Sequence, residues 1–245
     1  MNYRDRISKT AAMIIVLTIS ALFAAAACCG QDDQTSIDKS KIPASADKPS
    51  GFVPKGWKIE EQITADLNAD GRSDYVLKLV EDKPAEDKDG TKVDRERALI
   101  VVLADSDSKL KNAGIADKLL QCTGCGGAFY GVMDAPADIK VKNGVIIVTQ
   151  DGGSREVRNE TYHFRFEPQT SKFLLIGFDY AVNDRATGQV DSESTNYITG
   201  ARITTHGKGK KDTTSKSQVK VTKVYLDDAD SGKLTEETEK RLGLG

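Results

Sequence analysis

The stretch that decides the fold is residues 57–79, WKIEEQITADLNADGRSDYVLKL, in which two alternating segments flank an acidic loop. Apolar side chains recur mostly at alternate positions before the loop and again after it: Trp57, Ile59, Ile63, Ala65 and Leu67, then Tyr75, Leu77 and Leu79. A period of two is typical of a half-buried β-strand. The sequence therefore predicts a strand, a loop and a second strand.

The loop itself, DLNADGRSD, places oxygen-bearing side chains at regular intervals. Asp66, Asn68 and Asp70 occupy positions one, three and five, and Asp74 occupies position nine. Calcium takes six to eight oxygen ligands, and a curled loop supplies them from such positions, with a backbone carbonyl (here that of Arg72) at position seven. Without a cation, neighbouring carboxylates repel by about a few kcal/mol per pair. The loop is thus predicted to bind Ca²⁺, with Asp74 acting directly or through a water molecule.

This loop differs from an EF-hand at two points. Leu77 stands at position twelve, where an EF-hand has a bidentate glutamate, and the flanking segments have the period of strands. Gly71 marks the sharp turn, where a residue without Cβ is favoured. A second interpretation stays open: Asp, Asn and Gly favour turns in any case, so the loop could be a turn that binds no ion.

A family resemblance rests on the same residues. Segment 66–79, DLNADGRSDYVLKL, followed by 98–114, ALIVVLADSDSKLKNAG, resembles one FG-GAP or VCBS-type repeat. The resemblance implies that Asp66, Asn68, Asp70 and Asp74 bind calcium. A propeller needs about four or more blades, whereas this chain carries one copy, so the resemblance does not extend to the propeller fold.

The N-terminal residues predict export. Residues 1–27 begin with basic side chains, continue as an apolar run and end in three alanines, with no charged stop-transfer flank behind them. Cys28 follows directly, which favours a bacterial lipid anchor on Cys28; ordinary cleavage before it is the alternative. The anchor implies a location in the cell envelope, with the domain in the periplasm or on the surface.

Composition then divides the chain into a signal peptide (1–27), a lipid-anchored flexible linker (28–50) and a globular domain (51–245). The linker prediction rests on its polar residues and on the absence of any hydrophobic period. A formal net charge of −2 over 245 residues gives no electrostatic reason to expect nucleic acid as a partner.

Further strand signals predict a mainly β, antiparallel single domain with long hairpin loops and a short C-terminal helix. Predicted strands cover 98–104, 138–142, 145–150, 160–167, 173–180, 196–205 and 218–226. Asn143-Gly144, between the second and third of these, is a strong hairpin signal because both positions tolerate positive φ. Thr235 is the predicted cap of the helix, and the charged segment 81–97 is predicted to be a solvated loop.

Two cysteines lie close together as Cys122-Thr-Gly-Cys125. In an oxidising compartment, a local disulfide that closes a tight turn is the most economical interpretation. A redox-active pair and part of a metal site are the alternatives.

The functional expectation is a calcium-stabilised binding or scaffold module of the envelope, not an enzyme, with an unidentified protein partner. The layout resembles bacterial envelope lipoproteins that carry a single FG-GAP-like loop. An enzyme acting through Cys122 and Cys125, a hydrolase, and a small inhibitor of an envelope hydrolase are the alternatives. A serine nucleophile in Gly152-Gly153-Ser154 would need His163 or His206 beside it, and nothing in the sequence places either one there.

Overall fold

Antiparallel β-sheet dominates the computed structural model, which describes residues 36–107, 109–208 and 211–244. The predicted signal peptide and the predicted lipid-attachment residue, Cys28, lie outside these residues. The predicted fold class, a mainly β antiparallel domain with a short C-terminal helix, is confirmed.

The first sheet has five strands in the order β1-β5-β4-β3-β2. Its strands are β1 (Ser45–Ala46), β2 (Trp57–Ala65), β3 (Asp74–Glu81), β4 (Arg97–Ala104) and β5 (Leu110–Ala116). Strands β2 to β5 form a meander, in which each strand pairs with the next. The acidic loop therefore connects two neighbouring antiparallel strands, as the alternation predicts.

The second sheet is a seven-stranded meander in which the strands follow one another in sequence order. Its strands are β6 (Ala137–Lys142), β7 (Val145–Gly153), β8 (Glu156–Glu167), β9 (Lys172–Asp184), β10 (Gln189–Asn196), β11 (Ala201–Lys208) and β12 (Lys211–Gln218). Helix α1 (Ser231–Leu242) follows, and short 3-10 helices span Lys39–Lys41, Pro49–Phe52, Gly127–Phe129 and Leu226–Asp228. Within the described ranges, no helix is long and apolar enough to cross a membrane.

Two hydrophobic clusters bury the two faces of the first sheet. Leu99 and Val101 of β4 join the larger cluster, which also contains Tyr162 and Phe164 from β8. Ile100, the residue between them, joins the smaller cluster on the opposite face. Because successive side chains of a strand point to opposite faces, burial on both faces explains why the β4 segment is continuously apolar.

The smaller cluster corrects the predicted boundary of the domain. Residues 36–50 are part of the fold and not a flexible linker, since Ile37 and Ile42 are buried beside Phe52. The edge strand β1 also pairs with β5. The segment has no period because its buried residues come from irregular backbone: Ile37 precedes the first 3-10 helix and Ile42 follows it.

The sequence predicts some C-terminal elements wrongly. The hairpin at Asn143-Gly144 is confirmed, with φ values of 51° and 74°. The predicted strand 196–205 begins in the turn between β10 and β11 and is strand only from Ala201 onward. The predicted strand 218–226 contains only the last residue of β12 and an isolated bridge from Tyr225 to Leu174. Helix α1 begins earlier than predicted, because the carboxylate of Asp230, and not Thr235, caps it by accepting the Lys233 backbone N–H at 3.0 Å.

Candidate metal-binding loop

The acidic loop closes on itself through carboxylate and amide oxygens. One oxygen of Asp66 accepts the backbone N–H of Asp70 at 3.2 Å, and the other accepts that of Gly71 at 2.9 Å. The side-chain oxygen of Asn68 accepts the same Asp70 N–H at 3.1 Å. Oxygens of Asp66 and Asn68 therefore lie around one backbone amide. Gly71 has φ 82°, the conformation for which glycine is suited.

The carboxylate of Asp70 has a cationic partner within the loop. It accepts the Arg72 backbone N–H at 2.9 Å, the Asn68 side-chain amide at 2.7 Å and the Arg72 guanidinium at 2.5 Å. The hydrogen bond from the Arg72 backbone is the largest cause that lowers the pKa of Asp70. The guanidinium also donates from Nε to the carbonyl of Ala104 at 3.0 Å. Arg72 thus contacts Asp70 through its side chain, whereas the prediction assigns calcium binding to its backbone carbonyl.

Asp74 is completely buried, unlike the other acids of the loop. One of its oxygens accepts the Leu67 backbone N–H at 2.9 Å, and the other accepts the Ala104 N–H at 2.8 Å. Burial raises the pKa of Asp74, and the negative charges of Asp70 and Asp66 raise it further. This carboxylate therefore fastens the loop to the end of β4.

The donors of the loop suit calcium in chemical type, because carboxylate and amide oxygens are hard ligands. Asp66, Asn68 and Asp70 lie together on the exposed side of the loop, whereas Asp74 faces the interior. Within the described residues, no three Asp, Glu, His or Cys side chains form a group that could hold a metal ion. A bound ion would take the place of the Arg72 guanidinium beside Asp70.

The two cysteines close a tight turn at residues 122–125. Their Sγ atoms lie 2.07 Å apart, which is a disulfide bond, with Cys122 buried and Cys125 exposed. The backbone N–H of Gly153 donates to the carbonyl of Gly126 at 2.9 Å. A Cβ on Gly152 would lie 3.2 Å from the backbone of Gly126, so the close approach of the two segments favours glycine.

The loop that follows this turn, residues 126–134, presents an apolar tip. Val132 is 88% exposed and Met133 63% exposed, although both are large apolar residues. Polar contacts hold the rest of the loop: the Tyr130 hydroxyl donates to the Asp151 carboxylate, and Lys92 Nζ donates to the Val132 carbonyl at 3.0 Å. The tip is therefore an exposed apolar surface on a well-anchored loop.

Neither histidine lies where a serine nucleophile would need it. His163 Nε2 lies 3.1 Å from a carboxylate oxygen of Asp179, and His206 Nδ1 lies 2.9 Å from one of Asp191. In the part of the chain that the structure describes, neither ring makes a hydrogen bond to Ser154. The structure thus gives no support to the serine–histidine alternative.

The sequence does not predict one buried polar cluster, which is centred on Glu193. Glu193 on β10 is 3% exposed and pairs with Arg202 on β11 and Arg241 on α1. The only signal in the sequence is the alternation of polar residues in β10, which does not tell which face is buried.

Comparison with known proteins gives no relative: no known family, curated protein or solved structure matches this chain.

Proposed function

We propose that the protein is a lipid-anchored module of the bacterial cell envelope that binds a protein partner and uses Ca²⁺ to fix its 66–74 loop. The observation that carries the calcium role is the gathering of Asp66 and Asn68 oxygens around the Asp70 amide, next to the Asp70 carboxylate. These three side chains would hold the ion. Asp74 would support them from below, since it already fixes the position of the loop against β4.

A bound Ca²⁺ ion would stabilise the folded state by mass action. Extracellular calcium modules commonly bind with about 10⁻⁴–10⁻³ M affinity. A ligand at about 100 times its dissociation constant stabilises the folded state by about 2.7 kcal/mol. For a domain of this size class that corresponds to an increase in Tm of about 5–11 °C.

Thermal melting of the purified protein in EDTA and in about 10 mM CaCl₂ tests this role. Wild type should melt higher in calcium, and Asp70→Ala should lose that response. Asp105→Ala is the matched control, because Asp105 also accepts two backbone N–H groups in a turn but lies outside the loop. Superimposable melting curves for wild type with and without calcium would refute the proposed calcium role.

The partner-binding role rests on the apolar tip of the 126–134 loop. Val132 and Met133 are exposed on a loop that hydrogen bonds from Lys92 and to Asp151 hold in place, so they can enter an apolar pocket of another protein with little loss of loop entropy. The 126–134 loop would be the partner-binding surface whether the protein is a scaffold or an inhibitor of an envelope hydrolase.

A photo-crosslinking side chain placed at position 132 tests this role in the intact envelope. We expect one adduct of defined mass at that position and none at Ile198, another exposed apolar residue. The same adducts at both positions would mean that the tip has no specific partner. Lipidation is tested separately by intact mass, since Cys28→Ala should lose the acyl adduct and leave the membrane fraction.

A further inference from the structure

Each sheet of the domain ends in two edge strands, and three of these four edges are protected. Strand β1 has only two residues. Strand β2 has an irregular register between Ile59 and Glu61. Strand β6 lies against the first sheet, where Lys78 Nζ donates to the Ala137 carbonyl at 3.0 Å. Short strands, bulges and covering elements are devices by which proteins prevent their sheet edges from pairing with another chain.

Strand β12 is the fourth edge, and it has none of these features. It has eight residues, and all of them are exposed. Its pairing with β11 runs from Lys211 to Gln218 without a register shift. In the part of the chain that the structure describes, no strand pairs with its outer side. The backbone N–H and C=O groups on that side are therefore free to pair with a strand of another molecule.

One face of β12 carries two charges that have no partner. Side chains at alternate positions of a strand share a face, so Asp212, Thr214 and Lys216 lie together, and the Thr214 hydroxyl is 3.2 Å from that of Thr205 on β11. Neither Asp212 nor Lys216 makes a hydrogen bond or an ion pair with any residue that the structure describes. A lysine on an edge opposes pairing, unless the incoming strand brings a negative charge to the same position.

A second copy of β12 meets this requirement in one register. In an antiparallel ladder, residues directly opposite each other point their backbone groups either both toward the other strand or both away from it. Two copies of one edge can therefore pair only at positions whose residue numbers differ by an even number. Two such registers keep seven of the eight residues paired, one centred on Thr214 (211–217) and one centred on Ser215 (212–218).

Charge distinguishes these two registers. With Thr214 opposite its own copy, Asp212 of each molecule lies opposite the partner's Lys216, so two ion pairs flank a central pair of threonines. Opposite charges and threonine pairs both stabilise neighbouring strands. With Ser215 at the centre, Asp212 lies opposite Gln218. Lys216 then lies opposite a threonine, so neither charge meets its opposite. The register centred on Thr214 is therefore favoured, and a two-fold axis between the two Thr214 residues generates it.

We propose that the protein forms a two-fold symmetric homodimer in which two β12 strands pair antiparallel around Thr214 and join the two seven-stranded sheets into one. The interface is small because each molecule contributes a single strand, so the dimer is weak. We expect a dissociation constant of about 100 µM. The dimer depends neither on calcium nor on the apolar tip of the 126–134 loop.

Cysteine cross-linking of the purified full protein tests the register. In Thr214→Cys the two introduced thiols should lie opposite each other, with Cβ atoms about 5 Å apart, so oxidation by copper phenanthroline should link them in a disulfide. Ser217→Cys is the matched control, since it is also exposed on β12 but its two copies are six positions apart in the ladder, about 20 Å. Wild type given the same treatment corrects for Cys28 and Cys29. We expect at least about tenfold more linked dimer from Thr214→Cys than from Ser217→Cys.

Sedimentation velocity over about 10–500 µM, a range that spans the expected dissociation constant, tests the ion pairs. Asp212→Lys places like charges opposite each other at two points of the interface, which should weaken the dimer at least about tenfold. The double variant Asp212→Lys/Lys216→Asp restores opposite charges with their positions exchanged, and it should dimerise within about threefold of wild type. This recovery would not occur if the single change had only damaged the fold.

Several results would overturn the proposal. A monomer at every concentration would do so, and so would equal cross-linking at positions 214 and 217. A double variant that dimerises no better than Asp212→Lys would refute the ion pairs and with them the register. Cross-linking of Thr214→Cys to a different protein in the intact envelope, without any linked homodimer, would assign the edge to another partner.

Discussion

Replacing Asp74 by alanine should destabilise the fold far more than any other change in the acidic loop. Asp74 is fully buried, and its two oxygens accept the backbone N–H groups of Leu67 and Ala104 at 2.9 and 2.8 Å. Each N–H that loses its acceptor in a buried place costs about 1–3 kcal/mol. Removing the carboxylate also relieves its own burial and its repulsion by Asp66 and Asp70, which offsets part of that cost. We therefore expect a loss of about 3 kcal/mol, or about 6–12 °C in Tm.

Urea unfolding in EDTA, followed by circular dichroism, measures this loss without any contribution from a bound ion. Asp105→Ala is again the matched control. Its carboxylate accepts the N–H groups of Asp107 and Lys109, both at 2.9 Å, but its side chain is 19% exposed, so water can replace it. That variant should lose about 1 kcal/mol. If Asp74→Ala loses no more than Asp105→Ala, the argument that Asp74 fastens the loop to β4 is wrong.

Three further predictions test other parts of the structure. Ile42→Ala should cost about 3 kcal/mol in urea unfolding because the side chain is 7% exposed in the smaller cluster; a change within error would mean that the segment is a tether after all. Replacing Cys122 and Cys125 by serine should cost about 2 kcal/mol, since the ring is short, and unchanged melting in dithiothreitol for wild type would contradict this. A hydrogen bond to His163 lowers the pKa of Asp179, so its contribution to stability is present above the ordinary aspartate pKa and is lost as the pH falls through the lowered value. A ¹³C NMR titration should show that His163→Gln raises the pKa of Asp179, and an unmoved titration would exclude the contact as the cause.

Much of the first sheet was predictable because its residues carry a periodic signal. The alternation around the loop and the continuous run in β4 each reflect which faces are buried, and burial is what hydrophobic patterns record. Strand β12 carries no such signal, since all of its residues are exposed. A strand without a buried face has no reason to alternate, and the predicted strands accordingly pass from 196–205 to 218–226 without it. The sequence does not predict that residues 36–50 belong to the folded domain, for a related reason. Ile37 and Ile42 are single buried residues from coil and 3-10 turns, so they form no periodic pattern.

In the acidic loop, the sequence predicts the oxygen donors but not the direction in which each one faces. Five evenly spaced oxygen donors predict one shared ligand, but spacing alone does not tell which side of the chain each donor faces. Asp74 begins β3 and points inward, where backbone amides of the loop and of β4 supply the compensation that a cation would give. Asp70 faces outward and already has Arg72 as a cationic neighbour. The loop can thus reach its shape before any ion arrives, so Ca²⁺ affinity would depend on Asp66, Asn68 and Asp70 competing with one guanidinium, while the shape of the loop depends on Asp74.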